Sequence, residues 1–147
     1  QGWVVWLIAQ AVRGERARVY GTGKQVRDLL HSDDLQRAYD DVIGSIAQTR
    51  GQIYNLGGGP QCAMSVIEVL TWLKVRYPEF SWEYHPWRPG DQKVYVSDIT
   101  KARAHFGWEP RIAPDEGLRR MAAWVEENRK LFQSNTPSFS SASLQTS

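Results

Sequence analysis

VYGTGKQVRDLLHSDDLQRAY, residues 19–39, decides how this chain is read. A β-prone run, Arg16–Tyr20, enters Gly21-Thr22-Gly23, which marks a tight loop, and a second run, Gln25–His31, leaves it. Ser32, Asp33 and Asp34 then offer an N-cap and negative charge for a helix whose apolar positions are Leu35, Ala38, Tyr39, Val42 and Ile46. Strand, glycine turn, strand and capped helix in succession predict an α/β fold.

On the N-terminal side, Trp3, Val4, Leu7, Ile8 and Ala11 recur at the helical period, so residues 1–13 read as an amphipathic helix closed by Gly14. No cap precedes it, and a helix already running at residue 1 suggests a chain cut from a longer protein. On the C-terminal side, Gln52–Leu56 is a further β-prone run ending in Gly57-Gly58-Gly59-Pro60. Ser65 and Glu68 make a capping box for a helix carrying Val66, Val69, Leu70 and Leu73 and stopped by Pro78. Ser81–His85 reads as a strand, WRPGD at 87–91 as a proline-bracketed loop, and Lys93–Val96 as a short strand. Asp98 can cap a small helix with Ile99, Ala102 and Phe106 inward and Gly107 at its end. Pro114 suits the first turn of a last helix with Leu118, Met121, Ala122 and Val125 on one face. These elements form one unit, residues 1–132, and the serine-rich, uncharged residues 133–147 predict a disordered tail.

Composition narrows the partners. Eighteen basic and sixteen acidic residues give a net charge of +2 with no basic block, which argues against a nucleic-acid partner. The aromatic-platform alternative is weak, because Trp3, Trp72 and Trp124 lie on or beside apolar helix faces. The lone Cys62 cannot form an internal disulfide, and His31, His85 and His105 lack metal-ligand spacing, a cytoplasmic pattern without a metal site. No apolar run approaches the roughly 18 residues of a membrane span.

Several strings invite catalytic readings and fail on geometry. Tyr20 and Lys24 match the Tyr-x-x-x-Lys acid/base pair, but that pair needs helical spacing and two glycines of a turn intervene here. Gly21-Thr22-Gly23 lacks the third glycine of a dinucleotide fingerprint, and Gly57-Gly58-Gly59 lacks the lysine of a P-loop, so both read as turns. Adjacent side chains in His31-Ser32-Asp33-Asp34 diverge, so a catalytic triad gives way to a cap. Arg27, after the glycine turn, and Arg88, in the Pro-Gly loop that ends at Asp91, are guanidinium forks able to clamp a diphosphate. A pair of surface salt bridges is the plainer alternative.

QGWVVWLIAQAVRG, VYGTGKQVRDLLHSDDLQRAY, IYNLGGGP, MSVIEVL, WRPGDQKVYVSDITKAR and FGWEPRIAPDEGLRRMAAWVEEN follow one another in an order that resembles the C-terminal half of extended short-chain dehydrogenase/reductases acting on nucleotide sugars. Within them, GKQVRD and WRPGDQKVYVSD are most similar to the CDP-tyvelose (CDP-paratose) 2-epimerases. The resemblance implies the substrate-binding C-terminal portion of that fold, with a pyrimidine nucleotide-sugar, CDP-linked, as its small-molecule partner. It implies that Arg27 and Arg88 contact the diphosphate, that Asp91 accepts from the ribose hydroxyls, and that Val19 and Tyr20 border the base. In the relatives the NAD loop and the catalytic Tyr/Lys pair lie in an N-terminal Rossmann half. None of that appears in these 147 residues, so neither NAD binding nor catalysis is expected of them alone. Ser32 stands where the relatives carry valine, a departure that suggests relaxed packing against that half. The same comparison assigns Leu35–Ile46 and Gln52–Leu56 to the Rossmann side, predicting uncovered apolar faces and a homodimer. The competing expectation is a non-enzymatic binding or assembly module with a vestigial pocket.

Overall fold

Two small sheets organise the computed structural model, which describes residues 2–132; the tail expected at 133–147 lies outside the described residues. In the first sheet β1 (Ala17–Tyr20) runs parallel to β4 (Trp82–His85), with Tyr20 opposite His85. In the second, β2 (Val26–Asp28) is central, antiparallel to β3 (Ala63–Ser65) and parallel to β5 (Val94–Tyr95). Because β5 follows β4 in the chain, the 87–91 loop must pass from one sheet to the other.

The helices are α1 (Trp3–Arg13), α2 (Ser32–Gly44), α3 (Ile46–Thr49), α4 (Val66–Arg76), α5 (Thr100–Phe106) and α6 (Pro114–Glu127), with short 3₁₀ turns at Pro60–Cys62 and Arg129–Phe132. One core gathers Leu7 and Ile8 of α1, Leu70 and Leu73 of α4, and Leu118 and Val125 of α6. A second, smaller core holds Ala38, Ile99, Ala102 and Trp108. The helix α1 is amphipathic only at its start; from Leu7 to Val12 every residue is buried, including Gln10. The Ser65–Glu68 capping box forms, with Glu68 N–H donating to Ser65 Oγ at 3.3 Å and Ser65 N–H to Glu68 Oε2 at 2.7 Å.

Several expectations are corrected. The second strand ends at Asp28, because Leu29 packs toward the first core and Leu30 toward the second. His31, not Ser32, caps α2, its Nδ1 accepting from Asp33 N–H at 3.2 Å. The same helix stops at Gly44, so Ile46 belongs to α3. Gln52–Leu56 is not a strand: among the described residues it has no ladder partner, and a β-prone run without one stays irregular. Of the glycines at 57–59 only Gly59 has positive φ. Gly57 and Gly58 are close-approach sites, where a Cβ would overlap Ser97 and Asp28, and the Leu29 carbonyl, respectively.

Candidate functional site

The 87–91 loop overhangs the C-terminal end of β1 and the start of β2, enclosing a cleft of about 770 Å³. Val19, Tyr20, Arg27, Arg88 and Asp91, all singled out from sequence, line this one cleft. Strand pairing produces the convergence. The parallel β1/β4 register places Tyr20 beside the start of the loop, and the β2/β5 register places Arg27 opposite Tyr95, just beyond its end.

Arg27 is held by three acceptors: Asp91 Oδ1 at 2.8 Å, the Gln92 carbonyl at 2.7 Å and its neighbour Val26 carbonyl at 2.8 Å. The ion pair joins β2 to the loop and leaves Asp91 Oδ2 without a partner among the described residues. Arg88 has no carboxylate partner among those residues; its guanidinium carbon lies 3.6 Å from the Tyr20 ring centroid, a cation–π contact. The surface salt-bridge alternative thus describes Arg27 but not Arg88. Hydrogen bonding and charge from Arg88, with a smaller contribution from Arg18, lower the Tyr20 phenol below its ordinary range. On the flank, His85 Nε2 lies 2.8 Å from Glu83 Oε1, and that hydrogen bond, with the charges of His85, Arg16 and Arg18, lowers the Glu83 carboxyl. Three arginines, Arg18, Arg27 and Arg88, against Asp91 alone make the lining cationic.

Sequence reasoning missed the apolar part of the lining, Trp3, Trp6 and Leu7 of α1 with Val66 at the start of α4. The i, i+3, i+4 spacing of Trp3, Trp6 and Leu7 was the available signal, obscured because the same helix also reads as core. Gln25, 5% exposed, was missed as well; its Nε2 donates to the Tyr20 carbonyl at 2.5 Å, while its Oε1 has no partner among the described residues.

The rejected strings gain no catalytic geometry in the structure. Tyr20 and Lys24 flank a turn rather than share a helix face, and Gly21 (φ 78°) is where the Trp87 indole seats, so that a side chain there would collide with it. The glycine run does not fit a dinucleotide phosphate: Asp28 Oδ2 already takes Gly59 N–H at 3.0 Å, and Ser97, Leu29 and Cys62 fill the space. NAD therefore has no cradle here. Among the described residues no group of His, Cys, Asp and Glu could hold a metal ion, and no helix is long and apolar enough to cross a membrane. Burial raises the Cys62 thiol above its ordinary range, a setting for an inert thiol rather than a nucleophile.

Residues 3–121 match the family described as GDP-mannose 4,6 dehydratase. CDP-paratose 2-epimerase of Salmonella typhi is 31% identical in an alignment 132 positions long that covers 85% of this chain and 39% of that protein. UDP-glucuronate 4-epimerase of Thermodesulfobacterium geofontis is 36% identical over 119 residues, 80% of this chain and 35% of the relative. Among solved structures, UDP-glucose 4-epimerase of Thermotoga maritima with UDP-glucose superposes with a TM-score of 0.74 at 28% identity, over 88% of this chain and 40% of the other. An epimerase of Methanothermobacter thermautotrophicus gives 0.81 at 26% identity, over 90% and 39%. The chain spans about two fifths of the length of the relatives it matches.

Proposed function

Since the chain belongs to the nucleotide-sugar epimerase/dehydratase family of extended short-chain dehydrogenase/reductases, we propose that its cleft recognises the nucleotide of a CDP-linked sugar. The observation that carries this reading is the convergence of Arg27, Arg88, Asp91, Val19 and Tyr20 on one cationic cleft. Arg27 and Arg88 present guanidinium forks to the diphosphate, Asp91 Oδ2 accepts from the ribose diol, and Val19 and Tyr20 border the pyrimidine. Arg88 needs no ion pair broken to reach a phosphate; it only leaves the Tyr20 ring. Arg27 keeps its Asp91 pair, so the diphosphate meets a side chain already fixed to the loop.

In this reading the residues described here hold and orient the substrate. In the intact relatives NAD supplies hydride transfer, and the filled glycine run at 57–59 does not cradle it. The buried Cys62 and the want of metal-ligand spacing are in keeping with a cytoplasmic setting. The experiment is calorimetric titration of the chain with CDP, UDP and ADP. Binding in the order CDP, UDP, ADP is expected; equal or absent binding contradicts the proposal.

One observation favours a second reading, a module kept for assembly. Tyr39, Ile43 and Ile46 are all more than half exposed on α2 and α3, and Ile53 more so beside them in sequence. A homodimer that covers this face is the form this reading takes. A dimer without nucleotide binding would favour it over the first.

A further inference from the structure

Nucleobase recognition needs a flat apolar surface, and Tyr20, the aromatic residue nearest the diphosphate clamp, shares its face with Arg88 until that side chain turns to the phosphate. Its ring carries the Arg88 guanidinium at 3.6 Å, and the His85 ring lies 5.5 Å away at an interplanar angle of 37°. On α1 the situation is reversed. Trp3 and Trp6 both line the cavity, both are only partly buried, and both rest on the first core rather than in it. They sit one helical turn apart on α1, and Leu7 and Val66 add to the apolar part of the lining. The half of α1 that follows is fully buried, which anchors this lining before any ligand arrives. An indole presents the largest apolar face of any side chain, and aromatic–base stacking tolerates any base.

We infer that Trp3 and Trp6 form the stacking wall for the planar base of the bound nucleotide, so that the face of the ring is read by α1 while Val19 and Tyr20 border its rim. The inference rests on the nucleotide reading above and deepens it. It divides the cleft into a cationic side that reads the diphosphate and an aromatic side that reads the base. Ligands that carry only one of the two features therefore separate the sides.

The test is calorimetric titration of the chain with CDP and with inorganic pyrophosphate, repeated on Trp3→Leu, Trp6→Leu and Tyr20→Leu. Each tryptophan variant should lose about tenfold in CDP affinity while its pyrophosphate affinity stays within about twofold. Tyr20→Leu, at the rim of the base, should change the ratio of the two affinities less than either tryptophan variant does. A ratio unchanged in both tryptophan variants, or lost in Tyr20→Leu alone, overturns the inference while leaving nucleotide binding intact. Failure of the unmodified chain to bind CDP overturns both. Because Trp3 and Trp6 also rest on the core, the double variant Trp3→Phe/Trp6→Phe provides a gentler probe. Quenching of tryptophan fluorescence by CDP should fall sharply in it although Trp72, Trp82, Trp87, Trp108 and Trp124 remain, and undiminished quenching contradicts the assignment.

Discussion

Asp34 binds three donors with one carboxylate that is 2% exposed: Arg37 Nη2 at 2.6 Å, Ile112 N–H at 2.9 Å and Arg111 N–H at 3.0 Å. Its own carbonyl takes the Trp108 indole N–H at 3.0 Å, so one residue ties α2 to the loop that precedes α6. Burial pushes the carboxyl up, but the Ile112, Arg37 and Arg111 hydrogen bonds outweigh it and hold the group below the ordinary carboxylate value. Stability from Asp34 is therefore full above the unfolded value, about 3.9, and is lost as pH falls through the lower folded one. Acid unfolding monitored by circular dichroism should lose this limb in Asp34→Asn. Asp34→Ala should cost about 3 kcal/mol or more in urea, because two backbone N–H groups and a guanidinium lose their acceptor. A loss under about 1 kcal/mol would show that water replaces the carboxylate. Nothing in a single sequence distinguishes this role from helix capping, since Asp33 and Asp34 both suit a first turn. Arg27, Arg88 and Asp91 were singled out through the family resemblance, because the residues alone left surface salt bridges as the plainer reading. Trp3 and Trp6 were not, because a tryptophan reads equally as core or as cleft wall.

Among the elements, α4 was legible almost to the residue, from Ser65 and Glu68 at one end to Pro78 just beyond the other. Ser65→Ala removes the cap and should destabilise the fold by about 1 kcal/mol in denaturant unfolding; no change would mean Glu68 alone suffices. The strand β3 was hidden for the opposite reason. Its three residues carry no periodicity and gain strand character only by pairing with β2, a contact distant in sequence. Gln52–Leu56 failed the converse way, having β propensity but no partner among the described residues. The glycines at 57–59 link these cases, since a turn and a tight crossing look alike in sequence. Gly58→Ala forces a methyl into the Leu29 carbonyl and should destabilise by about 1–3 kcal/mol, whereas substitution at a mere turn with ordinary φ would be neutral.

For the molecule as a whole, the α/β class follows from element order, while the split into two cores and the relation of exposed faces to partners do not. Tyr39, Ile43, Ile46 and Ile53 leave apolar surface uncovered, and light scattering at micromolar concentration should report a dimer. A mass near 16.8 kDa with cooperative unfolding would contradict that. The 147-residue chain should also release no NAD on denaturation, because the glycine run is filled by Ser97, Asp28 and Leu29; stoichiometric dinucleotide would contradict this. The central claim is that the cleft between α1, β1 and the 87–91 loop holds a pyrimidine nucleoside diphosphate. Calorimetric titration of CDP into the chain and into Arg88→Ala tests it most directly. The account predicts saturable binding weakened about tenfold or more by the substitution, a charge-assisted contact being worth about 1.5–3 kcal/mol. Equal affinities in the two proteins, or no binding to either, would contradict it.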